Sequence, residues 1–300
     1  MEKTEKKKWS KKKKILVIVL SIVAFLLVAT ICAGLGVLKW YCTPVDYEVV
    51  SSSEIADSDT YLVAHRGFRA VAPENTAPAF EEAGKAGFSA NECDIYRTTD
   101  GVWVVQHDKN TYRMMDLTKN IEKCTYEELM SHNTDNGNNI ADYPNLKICT
   151  LEEYMEICDK YSMDAVIEFK GESNQEHYDE VIDMINRYPN VKVTFISFQF
   201  SDLEALRKVC DNDLMYLVQK IEPEDIELAK SIDNCGIDFN ANKEENWEND
   251  AQIIKDCQAA GLKLGGWTVD KLEVMQKLLD VGAVSYTHLR AHETSLQLVC

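Results

Sequence analysis

Apolar and polar positions follow two different patterns along this chain, and the switch between them divides it. Residues 15–38, ILVIVLSIVAFLLVATICAGLGVL, contain no charged side chain over 24 positions. As a helix that run extends about 36 Å at about 1.5 Å per residue, more than the ~30 Å hydrocarbon core of a bilayer. Lys39, Trp40 and Tyr41 follow at once, a basic and aromatic group of the kind found at membrane interfaces. The run is longer than the roughly 7–15 residues of a signal-peptide core, and no small-x-small cleavage site follows it. The pattern therefore predicts an uncleaved transmembrane anchor at 15–38, followed by a polar stalk over 39–60.

Beyond the stalk, short apolar runs alternate with amphipathic stretches for more than 200 residues, which is the rhythm of βα repetition. The pattern predicts strands at Tyr61–His65, Ala90–Tyr96, Ala165–Lys170, Val191–Phe198, Leu214–Val218, Gly236–Asn240 and Leu262–Val269. Helices are predicted near 76–87, 150–161, 175–187, 200–210, 223–232, 248–260 and 270–280. Asp100-Gly101 has the composition of a tight hairpin turn. Seven strands and a hairpin over 61–283 predict an α/β fold, a (β/α)8 barrel of about the usual 250-residue size that apparently lacks its native eighth strand. Residues 283–300 read AVSYTHLRAHETSLQLVC, and from 284 on they lack the apolar strand and polar turn of the earlier units. Residues 284–300 are expected to be a non-native tail, so His288, Arg290, His292 and Glu293 are not read as a metal site.

Charge sharpens the picture. The formal net charge is -18, yet residues 1–14 hold eight Lys, leaving 24 Lys and Arg against 48 Asp and Glu in the remainder. So acidic a body lacks the basic face that phosphate neutralisation requires, which excludes a general nucleic-acid binder. The basic segment 1–14 is expected in the cytoplasm and the body outside the cell, giving a single-pass protein of the cell membrane. The ten cysteines show no C-x-x-C or Cys/His spacing of a zinc or redox site, and most are expected to be buried apolar fillers.

The chemistry gathers where strands end. Tyr61–His65 leads into His65-Arg66-Gly67, and the C-terminal ends of barrel strands carry catalytic groups. Arg66 offers a permanently charged fork suited to phosphate oxygens. In Pro73-Glu74-Asn75-Thr76, either Asn75 or Thr76 can cap the next helix, and Glu74 is placed beside the site. Glu92 and Asp94 lie two residues apart, so both point to one face of a strand and Cys93 to the other. Two inward carboxylates are matched most economically by a divalent cation, Mg²⁺ or Ca²⁺. His107 is expected over the barrel mouth at the end of the returning hairpin arm. Glu168 and Lys170 share a face of the third barrel strand; Glu168 completes a set of three carboxylates, and Lys170 stabilises an anion beside the metal or, alternatively, forms a buried salt bridge. Trp267 either packs against an apolar or glycerol-like part of a ligand or fills core.

The ordered set HRG, PENT, E-x-D, DG…HD, IEFK and GWTV resembles the glycerophosphodiester phosphodiesterase family from about residue 61 to 283. The resemblance implies a barrel enzyme that hydrolyses glycerophosphodiesters to glycerol 3-phosphate and an alcohol. It implies a metal held by Glu92, Asp94 and Glu168, acid/base catalysis by His65 and His107, phosphate binding by Arg66 and Lys170, a substrate-facing Trp267 and a further active-site acid, Glu74. Asp270 stands where members often have Asn. The expected partners are a small phosphodiester or a lipid head group, with the membrane reached through the N-terminal helix. Two alternatives stay open: a lysophospholipase D acting on lipids through the same site, and a non-catalytic tethered module that binds phosphate or glycan.

Overall fold

The computed structural model describes residues 11–43, 61–171, 173–241, 251–269, 274, 277, 278, 280 and 286–289. It divides into two compact units, Met1–Thr43 and Pro44–Cys300. In the first, the apolar run forms helix α1 (Lys11–Cys42). Its segment Val19–Cys42 is long and apolar enough to cross a membrane. The stalk residues 44–60 and the first ten residues lie outside the described residues.

The second unit is a closed barrel. Its parallel strands are β1 (Leu62–His65), β2 (Ala90–Arg97), β5 (Asp164–Phe169), β6 (Val193–Ser197), β7 (Asp213–Val218), β8 (Cys235–Asn240), β9 (Leu264–Val269) and β10 (Tyr286–Leu289). Each pairs in parallel with the next, and β10 returns to β1. Two further strands, β3 (Trp103–Val105) and β4 (Cys149–Thr150), extend β2 in antiparallel fashion. The seven predicted strands agree with the observed ones within two residues at each end. Helices α2 (Ala77–Lys85), α4 (Leu151–Tyr161), α5 (Gln175–Ile185), α6 (Phe200–Leu206), α7 (Pro223–Lys230) and α8 (Ala251–Ala259) occupy predicted positions. Within the last predicted helix, Val274, Lys277, Leu278 and Asp280 are helical, and its other residues lie outside the described set.

The eighth position, expected to be open, is filled by Tyr286–Leu289 between β9 and β1. The reason is that a barrel short of one strand presents two rows of unpaired backbone N–H and C=O groups, and an extended segment satisfies both whatever its side chains are. Residues 290–300 lie outside the described residues. A second departure from the periodicity is the segment between β3 and β4. It folds through a short helix, α3 (Tyr126–Met130), and 3-10 turns started by side-chain caps from Asn110, Asn120 and Thr125, a device that leaves no hydrophobic period to read.

Alternation along the strands separates two cores. Inside the barrel pack Val63, Ala90, Val166, Ile196, Met215 and Leu217; outside, Cys93, Ile95, Ile167 and Phe169 meet the helices. Helix α4 starts on a reciprocal Thr150–Glu153 capping box and buries Tyr154 edge-on against Phe80 of α2 at 4.8 Å. The Tyr154 hydroxyl donates to the Asn91 carbonyl at 2.7 Å and accepts from the Val166 amide at 3.1 Å. That bridge ties β2 to β5 in the register that sets Asp94 opposite Glu168.

Candidate active site

At the end of β1 the chain turns through Arg66, whose φ is 60°, and Gly67, whose φ is 76°. A Cβ on Gly67 would come within 2.7 Å of the Ala79 backbone, so glycine is required both by conformation and by close approach. A left-handed arginine is unusual, and such backbone strain gathers at functional sites. It is fixed here because the Arg66 amide donates to Glu92 Oε2 at 2.9 Å, while the Arg66 side chain donates from Nη1 to Glu74 Oε1 at 2.9 Å and sets Nε 3.4 Å from Asp94.

Glu92, Asp94 and Glu168 are all buried, and each offers a carboxylate oxygen within 4.8 Å of the other two. Asp94 is held from behind by Asn75, whose Nδ2 donates to Oδ2 at 2.8 Å. Asn75 therefore orients a carboxylate rather than capping α2; Thr76 sits at the cap position but makes no side-chain cap. Lys170 Nζ lies 2.7 Å from Glu168 and 3.3 Å from Asp94. Burial opposes charge on Asp94, Glu168 and Lys170. For Asp94 the neighbouring Lys170, His107 and Arg66 overcome it and hold its pKa well below the usual range. For Glu168 burial and the Asp94 charge win, pushing the carboxyl up to about 7. Burial likewise opposes the Lys170 charge, yet Asp94 and Glu168 raise its pKa.

Three clustered carboxylates suit a hard divalent cation. The donor set fits on a second observation: the buried Asp94 Oδ1 accepts no hydrogen bond and has the Lys170 ammonium 3.3 Å away, and a carboxyl whose pKa burial raises, as for Glu168, gains from a cation that favours its charged form.

Above the carboxylates opens a cavity of about 250 Å³. One side is ionisable, lined by His65, Arg66, Glu92, His107, Glu168 and Lys170; the other is uncharged, lined by Ile196, Phe198, Leu217, Gln219, Trp267 and Thr268. His65 Nε2 lies 3.9 Å from Glu92. His107, carried back by the β2–β3 hairpin, has its Nδ1 2.8 Å from Asp108 Oδ1. Trp267 donates to the Asp238 carbonyl at 3.2 Å and meets Phe198 edge-on at 5.4 Å. Eight of the nine residues expected in the site thus converge on this cavity or its floor. The ninth, Glu74, stands behind Arg66 and is not among the cavity's lining residues.

Sequence reasoning missed Asp108 and Arg113, which join His107 to Glu74. The adjacency of Asp108 to His107 was a readable signal; Arg113, in an irregular turn, carried none. The polar stretch 133–139 lies against the β1–α2 loop, with Asn138 and Asn139 donating to the carbonyls of Arg69 and Val71. His132 is paired with Asp116, and His177 packs on Trp103, both away from the cavity. The nine described cysteines are free thiols.

A model of the glycerophosphoryl diester phosphodiesterase family matches residues 65–285. A glycerophosphodiester phosphodiesterase of Caldanaerobacter subterraneus is 28% identical over 234 residues, 74% of this chain and 91% of that protein. Among solved structures, a phosphodiesterase of Oleispira antarctica in complex with the product sn-glycerol-3-phosphate aligns with a TM-score of 0.70 at 25% identity, covering 77% of this chain and 93% of that one. A glycerophosphodiester phosphodiesterase of Parabacteroides distasonis aligns with a TM-score of 0.64 at 25% identity, over 78% and 94%.

Proposed function

Because this chain belongs to the glycerophosphoryl diester phosphodiesterase family and is an enzyme of that kind, a phosphoric diester hydrolase, we propose that it splits glycerophosphodiesters into glycerol 3-phosphate and an alcohol by metal-dependent histidine acid/base catalysis. The observation that carries the reading is the meeting of Glu92, Glu168, two cations and two histidines on one side of a single cavity, with the buried Asp94 clustered against the two carboxylates. The Oleispira relative's product, sn-glycerol-3-phosphate, supports the choice of substrate.

Glu92, Asp94 and Glu168 are the residues to hold the metal. A bound Mg²⁺ or Ca²⁺ supplies positive charge to the phosphoryl oxygens as negative charge builds on them. Arg66 and Lys170 bind the same oxygens, Arg66 through a fork that Glu74 holds in place while the Arg66 backbone amide donates to Glu92. One histidine takes the proton of the attacking hydroxyl; where that hydroxyl is water's the product forms directly, and where it is the glycerol's own, the cyclic phosphate that forms is then opened by water to give glycerol 3-phosphate. The other gives a proton to the departing alcohol oxygen as its P–O bond breaks. With Nδ1 of His107 engaged by Asp108, its Nε2 is the nitrogen that exchanges a proton with substrate. Trp267 and the uncharged wall hold the carbon part of the ligand.

The ring of Phe198, exposed at 44% beside Trp267, favours a second substrate class, lysolipids, for which the same chemistry releases lysophosphatidate. A membrane anchor at α1, with residues 1–14 in the cytoplasm and the barrel outside the cell, brings such head groups within reach and rests on the apolar run and the lysine cluster before it.

The testing experiment offers the full chain glycerophosphocholine, glycerophosphoethanolamine and lysophosphatidylcholine and follows product by phosphorus NMR. Glycerol 3-phosphate from the first two is the expected result. Lysolipid turnover alone moves the assignment to the second class, and no turnover by a folded protein overturns both.

A further inference from the structure

Behind the cavity runs a chain of charged groups that the reaction above does not use directly. Arg113, 14% exposed, lies in the irregular segment after β3 and bonds to two acids at once. Its Nε donates to Asp108 Oδ2 at 2.5 Å, and its Nη2 donates to Glu74 Oε1 at 2.6 Å. Each acid holds a residue of the cavity with the same carboxylate. Asp108 Oδ1 is 2.8 Å from His107 Nδ1, and Glu74 Oε1 accepts from Arg66 Nη1 at 2.9 Å. The opposite oxygen of Glu74 faces Arg69 at 3.6 Å.

Two features make this a device rather than a surface ion pair. Asp108 and Glu74 are both 13% exposed, so solvent does not substitute for the guanidinium. Planar geometry also matters: Nε and Nη2 lie on one edge of a rigid fork, and two carboxylates bound to that edge are held at a fixed spacing. A lysine ammonium is a single point on a flexible stem and cannot fix that spacing. Burial opposes the charge on Arg113, but Glu74 and Asp108 overcome it and raise its pKa, so the fork stays ionised.

We propose that Arg113 is a positioning residue: by holding Asp108 and Glu74 on one edge of its guanidinium, it sets the proton-transferring His107 and the phosphate-binding Arg66 in a single mutual geometry. The proposal rests on the reading of His107 and Arg66 given above. Positioning of this kind is where small displacements are costly, a shift of about 1 Å being worth roughly 100-fold in rate.

The test compares Arg113→Ala, Arg113→Lys and Asp108→Asn with the parent full chain. Steady-state kinetics on glycerophosphocholine, with and without added guanidinium ion, are paired with proton NMR of the ¹⁵N-histidine-labelled protein. Arg113→Ala is expected to lose about 100-fold in kcat and to raise KM several-fold, because both ends of the fork go slack. Arg113→Lys, which keeps the charge and most of the bulk, is expected to lose at least about tenfold. Guanidinium is expected to restore Arg113→Ala and to leave Arg113→Lys and Asp108→Asn unrescued. The His107 Nδ1 proton signal is expected to shift or broaden in all three.

If Arg113→Lys keeps kcat and KM within about twofold of the parent and an unchanged His107 signal, Arg113 is only a structural clamp and the proposal falls. A lowered melting temperature without those changes has the same meaning. If the parent itself does not turn over glycerophosphodiesters, the functional reading has failed; the His107 signal then decides the positioning role alone, an unchanged signal in Arg113→Lys refuting it.

Discussion

If Glu92, Asp94 and Glu168 hold the metal as proposed, its uptake is expected to release protons, and Glu168 sets how many. Burial and the charge on Asp94 push its carboxyl up to about 7, against the pull of Lys170. A group with that value is about half protonated at pH 7, roughly 90% protonated at pH 6 and about 10% at pH 8. A ligand must be ionised to bind. Titration of chelator-treated protein with Mg²⁺, by calorimetry in buffers of different ionisation enthalpy, is therefore expected to release about 0.9 proton per ion at pH 6, about 0.5 at pH 7 and about 0.1 at pH 8. Over the same range the ionised fraction rises about tenfold, so apparent affinity should strengthen by about 1.4 kcal/mol from pH 6 to pH 8. Glu168→Gln should abolish the release and weaken binding at every pH. Release that stays constant from pH 6 to pH 8, or that survives in Glu168→Gln, would falsify the placement of Glu168 among the ligands.

Other expectations follow from individual contacts. His65→Ala and His107→Ala should each remove measurable turnover while circular dichroism and melting temperature stay near those of the parent; near-normal activity in either removes that histidine from proton transfer. Phe80→Ala should cost about 3–5 kcal/mol in urea unfolding, since Phe80 is fully buried and supports Tyr154. Burial works against ionised Asp213, but Lys263 and Lys192 lower its pKa. Its stabilisation is thus present above the unfolded carboxylate value of about 3.9 and is lost as pH falls through the lower folded one. Asp213→Asn should lower stability at pH 7 by at most about 1 kcal/mol after solvent screening, with the difference from the parent vanishing in strong acid; a difference that grows in acid would contradict the sign.

The barrel was legible because its strands are regular. Glu92 and Asp94 flank Cys93 on β2, and strict alternation put the acids inside and the thiol in the outer core. The same alternation placed Glu168 opposite Asp94 once β2 and β5 were neighbours. What escaped notice depends on contacts without a period. Asn75 resembles a helix cap locally, and only the fold reveals that its amide reaches Asp94 on another strand. Arg113 lies 39 residues from Glu74 in a segment shaped by side-chain caps, so nothing near it in sequence announces its partners. The closing strand Tyr286–Leu289 is the opposite case, an extended segment recruited by backbone hydrogen bonding where side-chain pattern predicted none.

The most direct measurement follows glycerol 3-phosphate release from glycerophosphocholine by the full chain after dialysis against chelator, then after adding back Mg²⁺ or Ca²⁺, beside a variant carrying Glu92→Gln and Asp94→Asn. Release that the chelator abolishes, that either ion restores in the parent and that neither restores in the variant is the predicted result. Release that persists through chelation, or that returns equally in the variant, would contradict the claim that these buried acids hold a catalytic metal.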